Sequence, residues 1–214
     1  MQWIAEFTQG MVLVGLGPKV IVFYVLKFIG YSYRAALDPE NAFVLSLLGF
    51  TLGVGFCEEL TKVLPVWWRA RGSDRLDPRG IVALGFASGV GFGVSEGVTY
   101  SQDMYNGIEP VLIYVVRFVS CVGLHAVWAA TAGLTLYRRV DVVAAEGGFV
   151  GKVVTLMGVL AVPMLLHGLY DTALKRDLNL LALATAVVSF GWFFWQLVQV
   201  EEQGPRRGVV QHGT

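Results

Sequence analysis

Charge is scarce in this sequence. Only 15% of its 214 residues are Asp, Glu, Lys or Arg, against about a quarter in ordinary soluble domains. The few charges cluster in short stretches between long apolar runs, a pattern that argues against a soluble fold. The formal net charge is zero, with 16 basic and 16 acidic residues, so nothing in the balance supports nucleic-acid binding. Cysteine is almost missing. Cys57 and Cys121 are the only two, and without CxxC spacing they suggest neither a zinc ribbon nor a redox pair. The HExxH signature of helical zinc proteases is absent, as are linkers and low-complexity tracts. A basic n-region and an A-x-A-like cleavage site are also lacking, so no removable signal peptide is expected.

What the sequence has in abundance is hydrophobic length: 55% apolar residues and a mean hydropathy of +0.61. A hydrocarbon layer about 30 Å thick needs roughly 20 helical residues to cross it. Six runs meet that need, near 10–30, 42–68, 80–103, 110–137, 150–174 and 178–200. The expected fold is all-α, a polytopic transmembrane bundle of about six spans. Residues 1–200 form one domain and 201–214 a polar tail. Lys and Arg favour cytoplasmic loops. Arg69, Arg71, Arg75 and Arg79, then Arg138, Arg139 and Lys152, then Arg206 and Arg207 fall on one side. Lys27, Arg34, Lys175 and Arg176 fall on the other. This asymmetry predicts both termini in the cytoplasm.

Ionisable residues inside these runs are the informative ones, since each costs roughly 2.5–3.5 kcal/mol at a membrane helix centre. The second run places Glu58, Glu59 and Lys62 within one helical turn, so Lys62 can reach a carboxylate at i−3 or i−4. The second carboxylate is then left for proton chemistry. The third run repeats glycine every four residues (Gly85, Gly89, Gly93, Gly97), a stripe that lets a neighbouring backbone approach closely. Glu96 stands beside it, flanked at i−4 and i+4 by Phe92 and Tyr100. The fourth run holds His125, with Arg117 two turns earlier. The fifth has His167 and Asp171 at i, i+4, so the carboxylate can orient the imidazole or both can face one ligand. Pro163, four residues before His167, is expected to kink that helix. At 1.5 Å per residue from the flanking basic residues, Glu58, His125, His167 and Glu96 lie about 16–25 Å up. Similar heights on four helices point to a shared polar cavity.

In this order, EExxK (Glu58, Glu59, Lys62), FxxxE (Phe92, Glu96), a lone histidine (His125) and HxxxD (His167, Asp171) resemble the PrsW family of intramembrane proteases. That family is grouped with the CAAX-processing and bacteriocin-processing membrane proteases. The resemblance spans roughly residues 45–175. It implies an active site sunk in a bacterial inner membrane, with Glu58, Glu59, Glu96, His125, His167 and Asp171 as catalytic residues and Lys62, Phe92 and Tyr100 in support. The implied reaction is hydrolysis of a peptide bond in a membrane-anchored protein, in the best-known case an anti-sigma factor. Gly97 departs from the polar residue expected after Glu96. The extra N-terminal helices of some relatives are not expected either.

Two mechanisms suit these residue types. Glu58 can act as general base on a water, with His167 and Asp171 facing the scissile carbonyl. Alternatively, His125, His167 and Glu96 can ligate zinc, with Glu58 or Glu59 deprotonating the bound water. The missing HExxH tilts the balance towards a metal-free site, although members of the family are often labelled metalloproteases. A proton-coupled transporter also uses buried Glu and His, but such proteins often repeat their motifs internally, and no second copy occurs here. A non-catalytic scaffold would be signalled by a lost motif residue, and none is lost.

Overall fold

The computed structural model describes residues 18–70, 77–103, 111–145 and 149–202. All the described elements are helices: α1 (Pro18–Leu37), α2 (Phe43–Gly49), a π-helical turn (Phe50–Gly55), α3 (Phe56–Ala70), α4 (Pro78–Asp103), α5 (Val111–Ala145), α6 (Phe149–Lys175) and α7 (Asn179–Glu202). The α2 helix, the π turn and α3 are one continuous rod. Among the described residues five helices, counting that rod as one, are long and apolar enough to cross a bilayer. The chain is a multi-pass membrane protein. The first expected run begins outside the described residues, and its helix continues to Leu37 rather than ending near residue 30.

Two further expectations change. Arg138 and Arg139 lie not in a loop but on α5, which continues to Ala145. Its 35 residues exceed the roughly 20 needed to cross, and its span-like stretch is Phe118–Arg139. The α6 helix runs from Phe149 to Lys175 without interruption at Pro163. The side chains of Arg117 and Tyr100 and all of the tail from residue 203, including His212, lie outside the described residues.

Helix α5 is the hub. Two-thirds of its spanning window is buried, against 28–39% for the other four spans. It packs on α4, on α3 and on both following helices. The glycine stripe explains the closest of these contacts. A Cβ at Gly85 would lie 2.6 Å from the Ala130 Cα, one at Gly93 would lie 2.7 Å from the Val122 Cα, and one at Gly89 would meet the His125 carbonyl. Only glycine permits this approach, and the approach brings α4 against the stretch of α5 that carries His125. Val63, Val66, Ile81, Ala132, Leu136 and Leu160 then close the core below the polar residues.

The π turn has no counterpart among the sequence expectations. It adds width to the helix just before Glu58, and small residues hold it from both sides. Gly53 faces Ser32 of α1, and Gly168 of α6 lies against Thr51 so closely that a Cβ there would overlap its backbone. Such turns recur at functional sites, often as single wide turns inside α-helices.

Candidate active site

Lys62 decides the roles of the two neighbouring glutamates. Its ammonium lies 2.6 Å from Glu59 Oε1 and 3.9 Å from Glu58 Oε2. Both Lys62 and Glu59 have side chains wholly out of solvent. The pair satisfies the burial requirement together, since an isolated charge in that position would cost several kcal/mol. The Lys62 ammonium also sits 4.8 Å from the Phe92 ring centroid and 5.8 Å from that of Trp128. Glu58, released from this pair, faces a cavity and keeps 14% side-chain exposure.

The two histidines come from α5 and α6 and meet with ring centroids 5.3 Å apart. His125 is held at both nitrogens: Nδ1 lies 2.6 Å from the Lys62 ammonium and Nε2 lies 2.5 Å from Glu96 Oε2. The Phe92 ring packs on the same imidazole at 5.3 Å. His167 has Glu59 Oε1 at 2.9 Å from Nδ1. Its Nε2 faces Asp171 Oδ2 at 3.2 Å and Glu58 Oε2 at 3.5 Å. Every sequence-derived candidate with a described side chain therefore joins one connected network. Glu59, Lys62 and Phe92 lie behind the site, outside the cavity lining, and the other candidates face the cavity.

The cavity is about 480 Å³, within the usual range for small-molecule and cofactor sites. Glu58, Glu96, His125, His167 and Asp171 line its polar end. Its other walls are mostly apolar.

Three participants leave little mark in the sequence. Trp128 stacks on His167, with centroids 4.7 Å apart and planes 17° from parallel, and its indole N–H donates to Ser189 Oγ at 3.0 Å. Ser189 in turn donates to the Thr185 carbonyl. The only sequence signal for Trp128 is its position, three residues after His125 on one helix face. Cys121 has no cysteine partner at motif spacing, yet its thiol donates to Glu96 Oε2 at 3.4 Å. Tyr33, on α1, also lines the cavity.

A family model described as PrsW family intramembrane metalloprotease matches residues 6–198. The chain belongs to the PrsW family. No curated protein and no solved structure matches it. The match covers all the site residues of this PrsW protein, and membership carries intramembrane peptidase activity as the family's chemistry.

The metal in the family description can be tested against the donors present. Glu58, His125 and His167 each offer a ligand atom, and these atoms lie within 4.8 Å of one another. Two imidazoles and one carboxylate suit a catalytic zinc, which keeps a fourth position open for water. Glu58 Oε2 is buried without a hydrogen-bond partner, an acceptor atom with capacity to spare. Glu59 on His167 Nδ1 is the outer carboxylate that usually orients a ligating histidine. The set fits. The sequence points to Glu96 as the carboxylate ligand; Glu96 instead groups with Cys121 and His125, and Glu58 is the one grouped with both histidines.

Proposed function

We propose that this protein hydrolyses a peptide bond of a membrane-anchored protein with water activated between Glu58 and the two histidines. The observation that carries this reading is the convergence of Glu58, Glu96, His125 and His167 on one cavity from four separate spans. Scattered packing residues would have no reason to share it.

Glu58 is the residue placed to take a proton from water, because Lys62 is committed to Glu59. His125, bridged to Glu96, is positioned to pass a proton on to the leaving amine. His167, held by Asp171 and Glu59, can donate from Nε2 to a developing oxyanion. Phe92 and Trp128 wall these groups with aromatic surface, which limits competing water. Were a zinc ion held by Glu58, His125 and His167 instead, it would supply Lewis-acid activation of that water, and these three residues would serve as ligands rather than as base and proton donors. Lys62 and Glu59 are positioning residues, and the apolar surroundings suit a substrate segment within or beside the bilayer. The distribution of basic residues supports cytoplasmic termini, and an anti-sigma-factor-like protein is a substrate consistent with the family resemblance.

The test compares membranes containing the native chain with membranes containing Glu58→Gln and identifies newly formed protein termini by mass spectrometry. Termini that arise in membrane proteins only with the native chain support the reading. Identical termini in both overturn it. A transporter is favoured only if labelled solute accumulates in proteoliposomes and that uptake is lost with the same substitution.

A further inference from the structure

One residue beyond Glu96, the cavity wall depends on the absence of a side chain. A Cβ at position 97 would lie 2.5 Å from Cδ2 and 2.6 Å from Cε2 of Phe118. These distances are well inside normal contact, so the Phe118 ring occupies the space that any other residue at 97 would fill. Gly97 is unlike the glycines before it in the stripe, which meet the backbone of α5. Here the neighbour is an aromatic side chain, and both partners line the cavity. Phe50, Val54 and Leu124 line it as well. These residues give the cavity that holds the carboxylates and imidazoles an aromatic and aliphatic wall.

We propose that Gly97 and Phe118 form one wall of a subsite that takes a large apolar side chain of the substrate beside the scissile bond. The inference rests on the protease reading and adds a substrate class to it. A chamber with aromatic and aliphatic walls favours each additional methylene that it buries. A polar or charged side chain would gain nothing comparable and would lose its hydration. Because Glu96 is the residue next to Gly97, the chamber adjoins the reacting groups, so the side chain it accepts lies close to the cut.

The wall is set by one side chain resting on one glycine, so it can be moved in both directions. Gly97→Ala inserts a methyl group and displaces the ring, taking volume from the chamber. Phe118→Ala removes the ring and enlarges it. The experiment uses the full chain in proteoliposomes with single-span membrane peptides. Cuts are located by mass spectrometry, and each residue flanking the cut is then replaced by Ala, Leu or Phe.

The native chain should favour Leu or Phe over Ala at one flanking position by about tenfold or more, the discrimination typical of apolar pockets. Gly97→Ala should reduce the Phe-to-Leu ratio at that position and Phe118→Ala should raise it. Failure of one variant to fold leaves the other as the test. Cutting by the native chain with no flanking preference, or with a preference that neither variant moves, overturns the subsite and leaves the protease reading standing. No cutting of any peptide overturns both.

Discussion

Glu59 and His167 stand 108 positions apart in the chain and meet at 2.9 Å, with both side chains essentially sealed from solvent. Their contact joins the two halves of the site. Through Lys62 it continues to His125, and through His125 to Glu96. A network of this kind in a low-dielectric interior is cohesive when complete and costly when broken.

That cost is measurable. Removing one member of a buried ion pair leaves the other uncompensated, at about 3–5 kcal/mol. Lys62→Met should therefore destabilise the fold by that amount, seen as an earlier unfolding transition in detergent. Replacing Glu59 and Lys62 together by apolar residues should recover part of the loss. A Lys62→Met protein as stable as the native one would show that the pair has no structural role.

Glu58 is predicted to behave differently. It faces the cavity, and the Lys62 ammonium is 3.9 Å away, beyond hydrogen-bond reach. Glu58→Gln should leave the unfolding transition close to native while lowering cleavage by about 10²- to 10⁴-fold, the usual contribution of a positioned general base. Equal losses of stability and activity would instead make Glu58 a packing residue.

The glycines offer an internal control. Gly89→Ala drives a methyl group into the backbone at His125 and should prevent proper assembly of α4 on α5. Gly91, on the same helix, has open space where a methyl group would go, with nothing within 4 Å, so Gly91→Ala should be tolerated or mildly stabilising. Expression and melting temperature of the two variants distinguish them. Equal behaviour would contradict the close packing of the stripe.

Much of this site is legible in the sequence, for a simple reason: charge inside an apolar run is expensive, so each instance points to a function or a partner. Glu58, Glu96, His125, His167 and Asp171 stand out that way, and Lys62 has a carboxylate within one turn on either of two positions. Sequence does not choose between Glu58 and Glu59, because i−3 and i−4 partners are equally reachable until the helix is packed. Trp128 is invisible for the opposite reason. An aromatic residue in an apolar run costs nothing, so its stacking on His167 leaves no trace in the pattern. The π turn is silent too, since residues 50–55 (FTLGVG) are compatible with an ordinary helix and only contacts with α1 and α6 reveal the wider turn.

Ser189 gives that hidden layer a test. Its hydroxyl is the partner of the buried Trp128 N–H, and Ser189→Ala leaves that donor unsatisfied at about 1–3 kcal/mol. Ser189→Thr keeps a hydroxyl. Alanine should lower the rate of cleavage more than it raises KM, and threonine should restore a large part of it. A melting-temperature loss with unchanged kinetic constants would confine Ser189 to stability.

The metal prediction is equally direct. Protein purified without chelator should carry zinc in a one-to-one ratio with the chain, and chelation should remove zinc and activity together. Glu58→Gln, His125→Ala and His167→Ala should each reduce the bound zinc, whereas Asp171→Asn should retain it. Full activity in demonstrably metal-free protein would contradict a zinc at this site and leave the carboxylate–imidazole chemistry to act alone.

The central claim is that residues from separate spans act as one catalytic unit. The most direct measurement is a double-mutant cycle on cleavage rate in proteoliposomes with Glu58→Gln, His167→Ala and their combination. Residues that act as a unit give grossly non-additive losses, so the double variant should cleave about as slowly as the worse single one. If the two losses multiply, Glu58 and His167 act independently, and they do not form a single site.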